Sequence, residues 1–136
     1  MSYLLDTNVI CEVVKPKPNQ HVLSWFDTIP DESLYLSVLT LGEIRKGIEK
    51  ITDKHRKEKL RVWLEYDLPA WFEDRIKVID HQVADRWGRL NSQIKRTLPA
   101  IDSLIAATAL QFDLTLVTRN VQDFHSMTLQ IVNPWD

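Results

Sequence analysis

Short apolar runs alternate along this chain with longer stretches in which apolar residues return every three or four positions. That is the pattern of buried strands in a parallel sheet joined by helical crossovers. Five runs are expected as strands: Tyr3-Leu4-Leu5, Leu34-Tyr35-Leu36, Ile76-Lys77-Val78-Ile79, Thr115-Leu116-Val117 and Leu129-Gln130-Ile131-Val132. Helical periodicity predicts helices over about 8–14, 19–26, 39–50, 53–66, 82–95 and 100–112. Ser37 or Thr40 is placed to cap the third helix and Thr52 or Asp53 the fourth, and Pro99 lies where a proline is tolerated at the start of the sixth. In such an α/β protein ligands bind beyond the carboxyl ends of the strands, so the residues that follow strands are the first candidates for chemistry.

Composition narrows the setting. With 136 residues, 44% of them hydrophobic, the chain is expected to form a single domain over residues 1–136 with one continuous core. Cys11 is the only cysteine and no zinc-type pair of Cys or His occurs, which fits a reducing compartment and points to the cytoplasm. The N-terminal apolar run has no basic flank and is interrupted at Asp6, unlike a signal peptide or a membrane span. A formal charge of -2 gives no overall attraction to a polyanion, so any nucleic-acid binding must come from local patches or bound cations. Three glycines and six prolines, with no low-complexity tract, leave no sign of a linker.

Four carboxylates then stand out. Asp6 follows the first strand in Asp6-Thr7-Asn8; it suits a helix N-cap, and equally the first of three oxygen-bearing side chains on a turn. Glu43 lies on a helix beside Gly42 and one turn from Gly47, each glycine costing about 1 kcal/mol of helix propensity. It reads either as a surface glutamate or as an acid that a ligand or another backbone approaches closely over Gly47. Asp102 opens a segment that is apolar all round, where an anion is costly unless a donor or a metal pairs with it; a first-turn acid is the plain alternative. Asp123 falls just past the fourth strand, read as a loop acid, with Thr118 and Asn120 repeating the hydroxyl–amide–carboxylate grouping of Asp6-Thr7-Asn8. Oxygen-rich clusters of this type suit Mg²⁺ or Mn²⁺, and converging carboxylates make sense mainly around such an ion.

The four segments resemble the PIN-domain family, and within it the VapC-type toxins of bacterial toxin–antitoxin pairs. The resemblance runs end to end, on Leu4-Leu5-Asp6-Thr7-Asn8, Thr40-x-Gly42-Glu43-Ile44-x-x-Gly47-Ile48, Asp102-x-Leu104-Ile105-Ala106-Ala107-Thr108-Ala109 and Thr118-x-Asn120-x-x-Asp123-Phe124. It implies a three-layer α/β sandwich around a central, mostly parallel five-stranded sheet and an endoribonuclease dependent on one or two Mg²⁺ or Mn²⁺ ions. It further implies a homodimer and a cognate antitoxin that masks the site and carries the pair to operator DNA. Carried over by residue, Asp6, Glu43, Asp102 and Asp123 become catalytic metal ligands, with Thr7, Asn8, Thr118 and Asn120 in support.

The basic stretch from Asp53 to Arg61 is expected to be a solvated helix face, although it could touch RNA phosphates. Histidines 21, 55, 81 and 125 are scattered without paired spacing. Trp25, Trp63, Trp71 and Trp87 are expected in the core, with Trp63, Trp71 and Phe72 alternatively lining a dimer surface or a groove for a partner, and Cys11 is expected as a buried small residue. Two other readings stay open: a phosphatase or phospho-receiver built on Asp6, and an inactive domain of the same fold that only binds.

Overall fold

A computed structural model describes residues 1–125 and 127–136. Its five strands are β1 (Tyr3–Leu5), β2 (Leu34–Ser37), β3 (Ile76–Lys77), β4 (Thr115–Val117) and β5 (Ile131–Val132). They form one sheet in the order β3-β2-β1-β4-β5, and every neighbouring pair is parallel. Successive side chains on a strand point to opposite faces, and each central strand therefore feeds two cores. Leu4 and Leu116 join Val83, Leu90 and Ile105 on one face, while Leu5 and Val117 join Val9, Ile10, Ile44 and Phe72 on the other. Helices cover both faces as the third and first layers of a sandwich. The first face carries α6 (His81–Gln93) and α7 (Ala100–Gln111), and the second carries α1 (Thr7–Glu12), α3 (Val38–Glu49) and α5 (Leu68–Phe72). Leu4, Leu5 and Leu116 are wholly buried, so truncating any of them to alanine costs about 2–5 kcal/mol.

Local chemistry sets the helix starts. The Ser37 hydroxyl accepts the Leu39 N–H at 3.1 Å to begin α3, and Asp53 accepts the N–H groups of His55 (3.0 Å) and Arg56 (3.2 Å) to begin α4 (Lys54–Val62). Asn19 does the same for α2 (Gln20–Thr28). The expected strand over 76–79 is confined to Ile76–Lys77, and the last strand begins only at Ile131.

The larger departures are helical. The helix expected to stop near Tyr66 passes instead through a π-helical turn, Trp63–Asp67, into α5. Pro69 explains the geometry: in an α-helix its ring collides with the carbonyl four residues back. The π turn avoids this by letting the Leu68 N–H bond the Trp63 carbonyl, one residue further back than an α-helix would. A short helix, α8 (Val121–Phe124), follows β4 where a loop was expected. Among the described residues no helix is long and apolar enough to cross a membrane.

Candidate active site

The chain leaves β1 toward β2 and β3 and returns on its other side at β4, so the carboxyl ends of β1 and β4 form the sheet's topological switch point. Asp6 is the first residue past β1, its N–H bonded to the Val117 carbonyl at 2.9 Å, and Thr118 is the first past β4. Only 4% of Asp6 is exposed. One of its oxygens accepts the Thr7 N–H at 2.8 Å, which is the helix-cap contact; the other accepts the Thr118 hydroxyl at 2.8 Å and the Asn8 amide at 3.3 Å. The cap therefore accounts for one oxygen only. Burial pushes the Asp6 carboxyl above its usual range and the charge of Glu43 adds to that, against the hydrogen bonds from Thr118, Thr7 and Asn8.

Glu43 reaches the same end of the sheet from α3. Its Oε1 accepts the Thr7 hydroxyl at 2.5 Å, and that hydroxyl lies 3.2 Å from the hydroxyl of the wholly buried Thr40. Among the described residues no other backbone makes the close approach read over Gly47: a Cβ built on Gly42 or Gly47 would meet nothing within 4 Å. Gly47 borders an open cavity instead.

Asp102 occupies the first turn of α7, half-buried, and among the described residues its carboxylate takes no hydrogen bond. Burial, followed by the charges of Asp6, Glu43 and Asp123, pushes its carboxyl up to about 6. Asp102 thus stands in the field of the other three acids, and this brings the four together electrostatically. Asp123 is exposed and lies in the first turn of α8 and not in a loop, a correction to the sequence reading. Its N–H bonds the Asn120 carbonyl at 3.1 Å, Arg96 reaches its carbonyl, and the Asn120 N–H bonds the Thr118 hydroxyl at 3.0 Å. Asn8 spans the two strand ends, donating to Asp6 and accepting the Arg119 N–H at 3.2 Å.

Among the described residues no three His, Cys, Asp or Glu side chains stand close enough to hold one ion in common, so the expected shared-ion spacing is not met as the side chains are placed. The charges of Asp6, Glu43 and Asp123 act on Asp102, although no three of the acids are grouped around one common point. The donor set nevertheless fits a hard divalent cation: it is all oxygen, and its hydroxyl and amide neighbours already orient Asp6 and Glu43.

One buried charged residue escaped the sequence reading. Glu12 is buried although it is charged; it accepts the Asn19 N–H at 2.9 Å and pairs with Lys15 at 2.9 Å, and Lys15 holds its carboxyl below the usual range. Its spacing of four from Asn8 on one helix was the available signal. Trp87 is partly exposed and not core, its indole N–H donating at 2.8 Å to Ser103 beside Asp102, while Trp25, Trp63 and Trp71 are only half-buried and Phe72 is wholly buried. Cys11 is half-buried; burial, with Glu43 adding, pushes its thiol up to about 11, which makes it a poor nucleophile. All four histidines are exposed.

The chain is similar to known proteins over nearly its full length. The PIN domain family model matches residues 3–128. Toxin FitB of Neisseria gonorrhoeae is 37% identical over 135 residues, covering 97% of each chain, and VapC ribonuclease Y4jK of Sinorhizobium fredii is 32% identical, covering 98% of this chain and 97% of its own. The crystal structure of FitAcB from Neisseria gonorrhoeae superposes with a TM-score of 0.92 at 37% identity, covering 98% of both chains. A toxin-antitoxin complex from Klebsiella pneumoniae superposes with a TM-score of 0.74 at 27% identity, covering 99% of both. With a sheet of this order, acids at its switch point and relatives of this kind along its whole length, the chain belongs to the PIN-domain family, in the branch of the VapC toxin ribonucleases.

Proposed function

We propose that this protein is a divalent-metal-dependent endoribonuclease toxin, with Asp6, Glu43, Asp102 and Asp123 as its metal-binding catalytic acids. The observation that carries the reading is the switch point itself, where Thr118 and Asn8 orient the buried Asp6 and Thr7 orients Glu43, while Asp102 takes no hydrogen bond among the described residues and has its carboxyl raised by burial and then by the charges of the other three acids, a state that a bound cation would relieve. A Mg²⁺ or Mn²⁺ ion, singly or as a pair, would supply charge stabilisation at the scissile phosphate and activation of a water. Thr118 and Asn8 hold Asp6 in place, Thr7, backed by the Thr40 hydroxyl, holds Glu43, and Asn120 supports Thr118. We further propose a homodimer acting in the cytoplasm as one nuclease domain over residues 1–136. A cognate antitoxin would cover the acids and carry the pair to operator DNA, in line with the toxin-antitoxin complex among the structural neighbours.

The phospho-acceptor reading of Asp6 is disfavoured because both its oxygens are already held by donors. The binding-only reading makes the opposite prediction to ours in one assay. Purified protein with Mn²⁺ should cleave RNA, and Asp6→Asn and Asp102→Asn should each lower the rate at least about 100-fold while their circular dichroism stays native. Undiminished cleavage in excess EDTA would rule the proposal out.

A further inference from the structure

Two cavities with shared walls lie beside Glu43, the first bordering it and the second continuing away from the acids. The first, of about 220 Å³, is lined by Thr7 and Glu43 and walled by the apolar side chains of Cys11, Ile44, Ile48, Leu60 and Trp63. The second, of about 430 Å³, shares Lys15, Arg56 and Trp63 with the first and adds Lys59. They form one groove that begins at a catalytic acid, with Trp63 common to both parts.

Of the cations of α4 that have no acidic partner among the described residues, Arg56 and Lys59 line the groove and Lys54 does not. Arg61 is committed to Glu58 and Glu65, at 2.5 and 2.9 Å, and Lys57 rests on the Glu49 carbonyl. Arg56 and Lys59, the two that line the groove, have no acidic partner among the described residues. Asp67 is the one acid lining the second cavity, and Lys15 is balanced by Glu12. The groove therefore has a positive edge and an aromatic side chain beside it, the combination by which proteins hold single-stranded nucleic acid, with phosphates on cations and bases on rings. At about 220 Å³ the first cavity falls below the roughly 300–1,000 Å³ of sites for drug-sized ligands, which suits one ring system.

We propose that this groove is the substrate subsite beside the cleaved bond: one base of the RNA strand enters the first cavity against Trp63, and neighbouring phosphates lie on Arg56 and Lys59. The inference rests on the ribonuclease reading. It gives the basic stretch of α4 the RNA-contacting role and not that of a solvated face.

Binding of the intact protein to a short 2′-O-methyl oligoribonucleotide, which resists cleavage, tests it by fluorescence anisotropy across a salt series in EDTA. The pair Arg56→Gln and Lys59→Gln should weaken binding at least about tenfold and flatten the log Kd against log salt slope by about 1.4, about 0.7 for each phosphate no longer neutralised. The charge-matched pair Lys54→Gln and Arg89→Gln, which lines neither cavity, should leave the slope unchanged. Trp63→Leu should weaken binding about tenfold, within the ~1–3 kcal/mol of a stacked base, and Trp63→Phe should restore most of it. A groove pair that changes the slope no more than the control pair overturns the proposal, as does one that weakens only capture of a protein partner. Wild-type cleavage of RNA with Mn²⁺, assayed in parallel, separates the two claims. Cleavage with an unchanged slope refutes the groove alone; a changed slope without cleavage refutes the ribonuclease reading, and with it the groove's place beside a cleaved bond, leaving only an RNA-binding surface.

Discussion

Thr118 gives its one hydroxyl proton to Asp6 at 2.8 Å while accepting the Asn120 N–H at 3.0 Å, and none of its surface is exposed. Thr118→Val keeps the shape and removes both bonds, leaving Asp6 short of a donor in a site that already pushes its carboxyl upward. The variant should lose about 10–100-fold in metal affinity or cleavage rate, as mutations behind a metal ligand do, and about 1–3 kcal/mol of stability from the stranded polar groups. Thr118→Ser should recover most of the rate. Cleavage kinetics and urea melts read the two effects separately, and a Thr118→Val enzyme of normal rate would dismiss the supporting role. At this scale the sequence was most legible where a residue is chemically out of place: an aspartate at a strand end, or one inside an apolar helix. Glu12 was illegible for the converse reason. A helical glutamate looks solvated until the fold supplies the Asn19 N–H and Lys15 that make its burial tolerable.

Elements were predicted well where hydrophobic period and capping agreed and poorly where backbone exceptions decided. Ser37 and Asp53 start helices as capping chemistry requires, but the run to Phe72 survives Pro69 only through a π turn that no local preference announces. The end of α7 is a second exception. The Leu114 N–H bonds the Ala109 carbonyl at 2.8 Å and the Asp113 N–H the Leu110 carbonyl at 3.4 Å, with Asp113 at φ 54. That is the Schellman arrangement, whose left-handed residue is usually glycine. Asp113→Gly relieves the steric cost at a small entropic one and should raise stability by about 0.5–1 kcal/mol. Within α3, Gly42 meets nothing that a methyl group would strike, so Gly42→Ala should add up to about 1 kcal/mol. Both gains are measurable as shifts in urea midpoint at constant m-value, and a loss at Gly42 would mean that something not in this chain comes close there.

At the scale of the molecule, the parallel sheet converts sequence-distant strand ends into neighbours, and the cost of gathering acids there falls on the whole fold. Asp102 has its carboxyl raised to about 6 from 3.8, and Asp6 is raised as well. A carboxyl that holds its proton more tightly when folded favours folding at low pH, and this contribution is lost as pH rises through the folded value. Stability in EDTA should therefore fall between about pH 4 and pH 6 from these groups, against the usual trend of acid unfolding. The Asp102 shift, discounted for its partial exposure to solvent, is worth about 1 kcal/mol. Asp102→Asn should accordingly melt about 2–6 °C higher than wild type at pH 7 in EDTA, with the difference vanishing near pH 4. Mn²⁺ should reverse the order at pH 7, because at 100 times its Kd an ion that binds only the folded state adds about 2.7 kcal/mol to wild type and little to a variant lacking one ligand. Thermal melts of the two proteins at both pH values, with EDTA and with Mn²⁺, give the full comparison. If Asp102→Asn is neutral at pH 7 in EDTA, burial and the neighbouring acids do not raise the Asp102 carboxyl, and the metal reading loses that support.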